Sequence, residues 1–220
     1  MRTAAVASSK GGVGKTTIAC CLGWRASLDS SRVAAIDLNR DQGNFEQWAG
    51  LRDKPLKGIE LIQDYGDLTE TIPQLAAAGF DWTIIDTMPG DLDVIELAVL
   101  VCDVLLIPIK TSIYDTAAIL PMLEIARDRR KPFTFLLNDV DARHKVLNAE
   151  VRATLKTLGP LWSGQVSHLQ SYIVAANSGR VGPEIDAKAR EEIEGLWAEV
   201  KRLASQPQPA ATRREARANV

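Results

Sequence analysis

The sequence predicts an α/β fold: a doubly wound, mainly parallel sheet flanked by helices on both faces. Three observations predict it. Short apolar, β-branched runs alternate with longer stretches of helical period, the βαβα rhythm that builds parallel sheets. Several runs, such as Val104-Leu105-Leu106-Ile107, are apolar at every position, so helices must cover both sides of them. A glycine-rich turn at residues 10–17 joins the first apolar run to the first helical stretch.

In chain order, strands are expected at 3–8, 32–37, 59–63, 82–86, 104–109, 133–137 and 162–167. Helices are expected between them at 16–27, 68–78, 92–101, 115–129 and 148–158. Two more follow, at 169–177 and 183–204. The second opens on Pro183 in its first turn and carries Ile185, Ala189, Ile193, Leu196, Trp197 and Val200 at helical spacing. From Ser205 the composition shifts to Gln-Pro-Gln-Pro-Ala-Ala and then to an arginine-rich end without a core-forming stripe. A single domain over 1–204 with a flexible basic tail over 205–220 is therefore expected.

At 220 residues the chain is long enough to bury one full sheet-and-helix core. Ordinary charged and apolar fractions exclude disordered and fibrous classes. A net charge of -2 exerts no whole-molecule pull on polyanions, so any nucleic-acid surface must be a local patch. Cys20, Cys21 and Cys102 match no C-x-x-C or zinc-ligand spacing and read as buried, reduced thiols. With no signal-peptide core and no apolar run of membrane-spanning length, a cytoplasmic protein is expected.

The turn reads Lys10-Gly11-Gly12-Val13-Gly14-Lys15-Thr16-Thr17. Gly11, Gly12 and Gly14 let backbone N–H groups turn inward around phosphate oxygens without Cβ clashes. The helix beginning near Lys15 adds its N-terminal dipole, Lys15 suits the β- and γ-phosphates, and the Thr16 hydroxyl suits Mg²⁺. Residues 10–17 are thus expected to hold a nucleoside triphosphate with Mg²⁺, as in P-loop NTPases, although Ser9 stands where the strict motif has glycine. Such loops need carboxylates at neighbouring strand ends to hold the cation's water shell. Asp86, after Trp82-Thr83-Ile84-Ile85, and Asp37, after Val33-Ala34-Ala35-Ile36, are the candidates. Either aspartate, taken alone, also suits a turn or a helix cap.

The loop, the segment Ile36-Asp37-Leu38-Asn39-Arg40-Asp41-Gln42-Gly43-Asn44 and the segment Ile84-Ile85-Asp86-Thr87-Met88-Pro89 together resemble the ParA/MinD family of deviant Walker ATPases. The likeness extends over roughly residues 2–203, through Phe135-Leu136-Leu137-Asn138 to Leu196-Trp197, and is to the short ParA type. The resemblance implies a homodimer with ATP sandwiched between subunits and Lys10 crossing to the partner's phosphates. It implies adenine contact by Asn138 and roles in hydrolysis for Lys15, Asp37 and the residue at position 39. It further implies non-specific DNA binding, nucleoid association in the ATP state, and slow hydrolysis stimulated by DNA and an adaptor, ParB-like or linked to the cargo. One departure stands out: Asn39 occupies the place of an aspartate tied to the attacking water. Asparagine orients water but is no base at neutral pH, so Asp41 or Asp37 takes over, or turnover is slow.

Basic residues cluster at Arg127, Arg129, Arg130 and Lys131, at Arg143 to Lys145, and along the last helices as Arg180, Lys188, Arg190, Lys201 and Arg202. The resemblance favours the last set as the DNA contact. The function expected is partition of a plasmid or chromosomal segment. Positioning of a protein assembly such as a carboxysome or chemoreceptor cluster is the alternative. A MinD-like membrane ATPase lacks support, because the end of the chain has almost no large apolar residues with which to anchor.

Overall fold

The computed structural model describes residues 1–29, 31–39, 43–52, 56–111 and 119–207. Six strands make one parallel sheet: β1 (Arg2–Val6), β2 (Val33–Asp37), β3 (Ile59–Leu61), β4 (Trp82–Asp86), β5 (Val104–Ile109) and β6 (Phe133–Leu137). Their order is β3-β2-β4-β1-β5-β6. The early connections run to one side of β1 and the later ones to the other. The order therefore reverses at β1, the place where doubly wound sheets leave a crevice outside their carboxyl ends.

The helices are α1 (Lys15–Leu28), α2 (Asn44–Gly50), α3 (Leu68–Ala77), α4 (Leu92–Val101), α5 (Leu120–Asp128), α6 (Lys145–Leu158), α7 (Gln170–Ala176), α8 (Gly182–Ile185) and α9 (Ala187–Ala204). Alternate strand residues enter opposite cores. Ala4, Val6 and Ile84 pack with Ile18 and Leu22 of α1 and Ile193 and Trp197 of α9. Ala5, Ile85 and Leu105 pack with Ile95 of α4, Met122 of α5 and Leu155 of α6. On the first face Trp82 and Trp197 stack with ring centroids 4.5 Å apart. Asp29, just beyond α1, ties that helix to α9 by accepting from Arg25 Nη1 at 2.7 Å and Trp197 Nε1 at 2.9 Å.

The seventh expected strand, 162–167, is not one. It meets β6 and the residues just after it at its two ends alone, with bridges of Phe135 to Leu161 and Val140 to Ser167 and bonds from Trp162 N to the Phe135 carbonyl and Val166 N to the Leu137 carbonyl. Between them Arg152 of α6 takes the carbonyls of Ser163 and Gly164 and the side chain of Gln165, at 3.3, 3.0 and 2.9 Å. Those carbonyls face a guanidinium instead of a ladder. The expected helix 183–204 is two helices. Asp186 is extended (φ -137°, ψ 123°) and its carboxylate accepts from the amides of Lys188 and Ala189, starting α9 afresh. Helix α2 was not anticipated, because seven residues are too few to show a period. For the stretch expected at 115–129, the described part is α5, and residues 112–118 lie outside the described residues. The expected tail lies outside them from residue 208.

Candidate functional site

Gly12 and Gly14 adopt φ of +72° and +89°, the left-handed region that glycine enters without strain. Gly14 has a second constraint, since a Cβ there would collide with Asn138 Nδ2. Its own carbonyl accepts the first helical bond of α1, from Ile18 N at 3.0 Å. Helices α3, α4 and α9 each receive a carboxylate cap, from Asp67, Asp91 and Asp186, while α1, like α2, α5, α6 and α7, has no side-chain cap. The first amides of α1 and its positive dipole end are thus left for an outside anion. Asn138, beyond β6, buttresses the loop by donating from Nδ2 to the Val13 carbonyl at 2.7 Å.

A crevice of about 340 Å³ opens at this point, lined by Gly12, Gly14 to Thr17, Asn39, Asn44, Asp86, Thr87 and Pro89. Lys15 is buried and its Nζ donates to the Lys10 carbonyl at 3.1 Å. Burial lowers the Lys15 pKa, against the opposing pull of Asp86. Thr16 Oγ1 donates to Asp86 Oδ2 at 2.6 Å. The other oxygen, Asp86 Oδ1, is buried and meets no donor. Asp86 is pushed up to about 7, first by burial and further by Asp37, while the Thr16 hydrogen bond and Lys15 act in the opposite direction.

Asp37 and Asp86 are register partners at the ends of β2 and β4. Asp37 is occupied by backbone amides: Oδ1 accepts from Asn39 N at 2.8 Å and Oδ2 from Phe45 N at 2.9 Å. It therefore fixes both the turn after β2 and the start of α2. Asn39 is buried beside it and its carbonyl accepts from Gly43 N at 2.8 Å. Asp41 lies outside the described residues.

The donor set fits a triphosphate and a hard cation. A buried carboxylate oxygen without a partner, a threonine hydroxyl and an uncapped helix start are oxygen- and anion-directed groups. Among the described residues no group of three or more His, Cys, Asp or Glu could cage a metal. Mg²⁺ takes one or two protein ligands and completes its shell from phosphates and water.

A model of the CobQ/CobB/MinD/ParA nucleotide binding domain matches residues 4–180. The chain belongs to this family. It is 27% identical over 210 residues to the maintenance of carboxysome distribution protein A of Halothiobacillus neapolitanus, covering 90% of this chain and 95% of the relative. It is 26% identical over 246 residues to a probable plasmid-partitioning protein ParA of Thermus thermophilus, covering 86% and 74%. Among solved structures, the MinD cell division protein of Aquifex aeolicus superimposes with a TM-score of 0.78 at 18% identity, over 96% of this chain and 100% of that one. MinD of Pyrococcus horikoshii, solved with Mg-ADP, gives 0.75 at 17% identity, over 93% and 97%. Both neighbours share the fold of this ParA/MinD-family chain.

Arg127 and Lys131 donate to the carbonyls of Leu158 and Cys102, and Arg129 and Arg143 pair with Glu96 and Asp141. In the late set, Arg190 Nε donates to the Pro183 carbonyl, Lys201 pairs with Asp29, and Arg202 pairs with Glu199. Arg180 and Lys188 are exposed, one in the turn after α7 and the other in the first turn of α9. Lys201 and Arg202 sit at the far end of α9, about 20 Å from Lys188 at 1.5 Å per residue. Asn44, Thr87 and Pro89 line the crevice without having been singled out. Each stands next to or within a segment that was, and that adjacency is their only sequence signal.

Proposed function

We propose that this ParA/MinD-family chain is an ATPase, one domain over residues 1–204, that dimerises around ATP, binds DNA without sequence preference and positions a cargo. One observation carries the reading. The uncapped start of α1, wrapped by Gly12 and Gly14, faces a strand end where Thr16 and Asp86 leave one carboxylate oxygen unmet.

In this reading the amides of residues 11–16, Thr17 and the Lys15 ammonium bind the phosphates, and Asn138 orients the adenine. Thr16 and Asp86, with Asp37 behind them, hold Mg²⁺, which when bound neutralises charge on the β- and γ-phosphate oxygens. Hydrolysis is attack by water on the γ-phosphorus, with the bond to the β-phosphate oxygen breaking and the water's proton passing to an oxygen of the released phosphate. Lys15, and Lys10 from the second subunit, neutralise the charge that develops there. Asn39 orients the water by hydrogen bonding and cannot take its proton. Phosphoryl transfer depends mostly on positioning, so turnover is slow rather than absent and rises with DNA and an adaptor. Arg180 and Lys188, exposed near the crevice end of the molecule, are the first candidates for phosphate contacts with DNA. A cytoplasmic, nucleoid-bound ATP state follows.

The cargo has two readings, a plasmid or chromosomal segment and a protein assembly. Both fit equally, since the chain is 27% identical to a carboxysome-distribution protein and 26% identical to a plasmid-partitioning protein. ATPase activity with and without duplex DNA, together with particle mass in ATP, tests the reading on wild type and Lys10→Ala. The expected result is slow, DNA-stimulated turnover and an ATP-dependent dimer, with stimulation lost in Lys10→Ala. A dimer indifferent to ATP, or full stimulated activity in Lys10→Ala, overturns the sandwich.

A further inference from the structure

The crevice and the exposed Arg180 are joined by a short element whose two ends are both pinned. Asn44, the first residue of α2, lines the crevice with Thr16 and Asp86. The next residue, Phe45, is held through its amide by Asp37. Trp48 follows Asn44 by four residues, so the two share one face of α2, and Arg52 lies just beyond its C-terminal end. Trp48 Nε1 donates to the carbonyl of Arg180 at 3.0 Å. Arg52 Nη1 donates to the carbonyl of Gly179 at 2.8 Å, and its guanidinium makes a two-pronged ion pair with Glu184 at 2.8 and 2.9 Å. That pair is well shielded, with side chains 13% and 14% exposed. Glu184 in turn accepts from Val181 N at 2.8 Å, closing the turn around Arg180.

The fit leaves no slack. Gly179 has φ of +64°, and a Cβ there would come within 2.5 Å of the Trp48 carbonyl oxygen and 2.7 Å of the Arg52 amide. The turn over residues 178–181 is therefore seated directly on the C-terminal end of α2. A shift of α2 must carry the turn with it, because close-packed groups move together rather than deforming continuously.

We infer that Arg52 and Trp48 are positioning residues that couple the Asp37 strand end to Arg180, so that DNA affinity follows the nucleotide state of the crevice. The inference rests on the DNA reading above and adds the route by which ATP is felt at the DNA contact. A purely structural role for the same bonds predicts lost stability without a change in coupling. By linkage, a coupling role predicts that ATP raises DNA affinity and that DNA raises ATP affinity by the same factor, and that both factors fall together.

The test measures binding of a non-specific duplex at fixed moderate salt, with and without Mg-ATP, and binding of ATP with and without that duplex. Wild type, Arg52→Gln, Trp48→Phe, Arg180→Ala and the double variant Arg52→Gln/Arg180→Ala are compared. Losing hydrogen bonds of this kind lowers the ATP-dependent gain in DNA affinity by about fivefold, and more for Arg52→Gln than for Trp48→Phe. ATP affinity without DNA stays at the wild-type value in both. The double variant binds no more weakly than Arg180→Ala, because both changes act through one residue. Should Arg52→Gln fail to fold, Trp48→Phe keeps the ring and reads the same quantity.

A wild-type gain that survives in both Arg52→Gln and Trp48→Phe overturns this inference alone, as does additive loss in the double variant. A loss of ATP affinity without DNA in Arg52→Gln also overturns it, by assigning Arg52 to the nucleotide site itself. Wild type that gains no DNA affinity from ATP overturns the DNA reading, and the coupling with it.

Discussion

Asp86 combines near-complete burial, a hydrogen bond from Thr16 on one oxygen and no donor on the other. A buried carboxylate left half-satisfied, with a second carboxylate in register beside it, costs folding free energy that ligand binding can offset. Asp86→Asn keeps an acceptor for Thr16 and removes the charge. The nucleotide-free variant is expected to gain about 1 kcal/mol in urea unfolding at pH 8, while its affinity for Mg-nucleotide falls at least tenfold. Loss of stability in the nucleotide-free variant would show that the charge is already compensated. The places of Asp86 and of the loop glycines were legible in the sequence because they are set by residue type and strand-end position. The double duty of Asp37 was not. Its hold on the amides of Asn39 and Phe45 depends on where the chain returns after β2.

At the scale of elements, the pairing of α1 with α9 turns on Asp29. Burial alone raises its pKa, but the Trp197 indole, Arg25 and Lys201 outweigh that and hold it at about 2. The sign is that of a depressed acid. The stabilisation is present above the ordinary carboxylate pKa near 4 and is lost as pH falls toward 2. The carboxylate is about a third exposed, so the effect is moderated by solvent. Asp29→Asn is expected to unfold more readily than wild type by about 1 kcal/mol at pH 7. The two curves converge as pH approaches 2. A gap that is constant from pH 7 to pH 2 would assign the effect to packing instead of charge. Element boundaries show the same division between local and distant causes. The sequence placed β4 and α4 to the residue, because an apolar run and a helical period are local signals. It misjudged 162–167, because the guanidinium that breaks the ladder comes from α6.

For the whole molecule, the crevice sits where the strand order reverses, and it draws residues from the ends of β1, β2 and β4. A ligand bound there and not to the unfolded chain stabilises the entire sheet by mass action, by about 2.7 kcal/mol at a hundred times its dissociation constant. Mg-ATP is expected to raise the thermal midpoint of wild type by several degrees and to leave Lys15→Ala unmoved. An equal rise in both proteins would place the nucleotide elsewhere. The amino-acid sequence by itself determined the α/β class, the parallel sheet, the phosphate loop and the two strand-end aspartates. All of these follow from local period, residue chemistry and short spacing. Only the tertiary structure decided which partners the cations meet, such as Lys201 with Asp29. Only it seated the turn of Gly179 on α2. Those are contacts between residues more than a hundred positions apart, and no local pattern encodes them, because their energy exists only once the layers have packed.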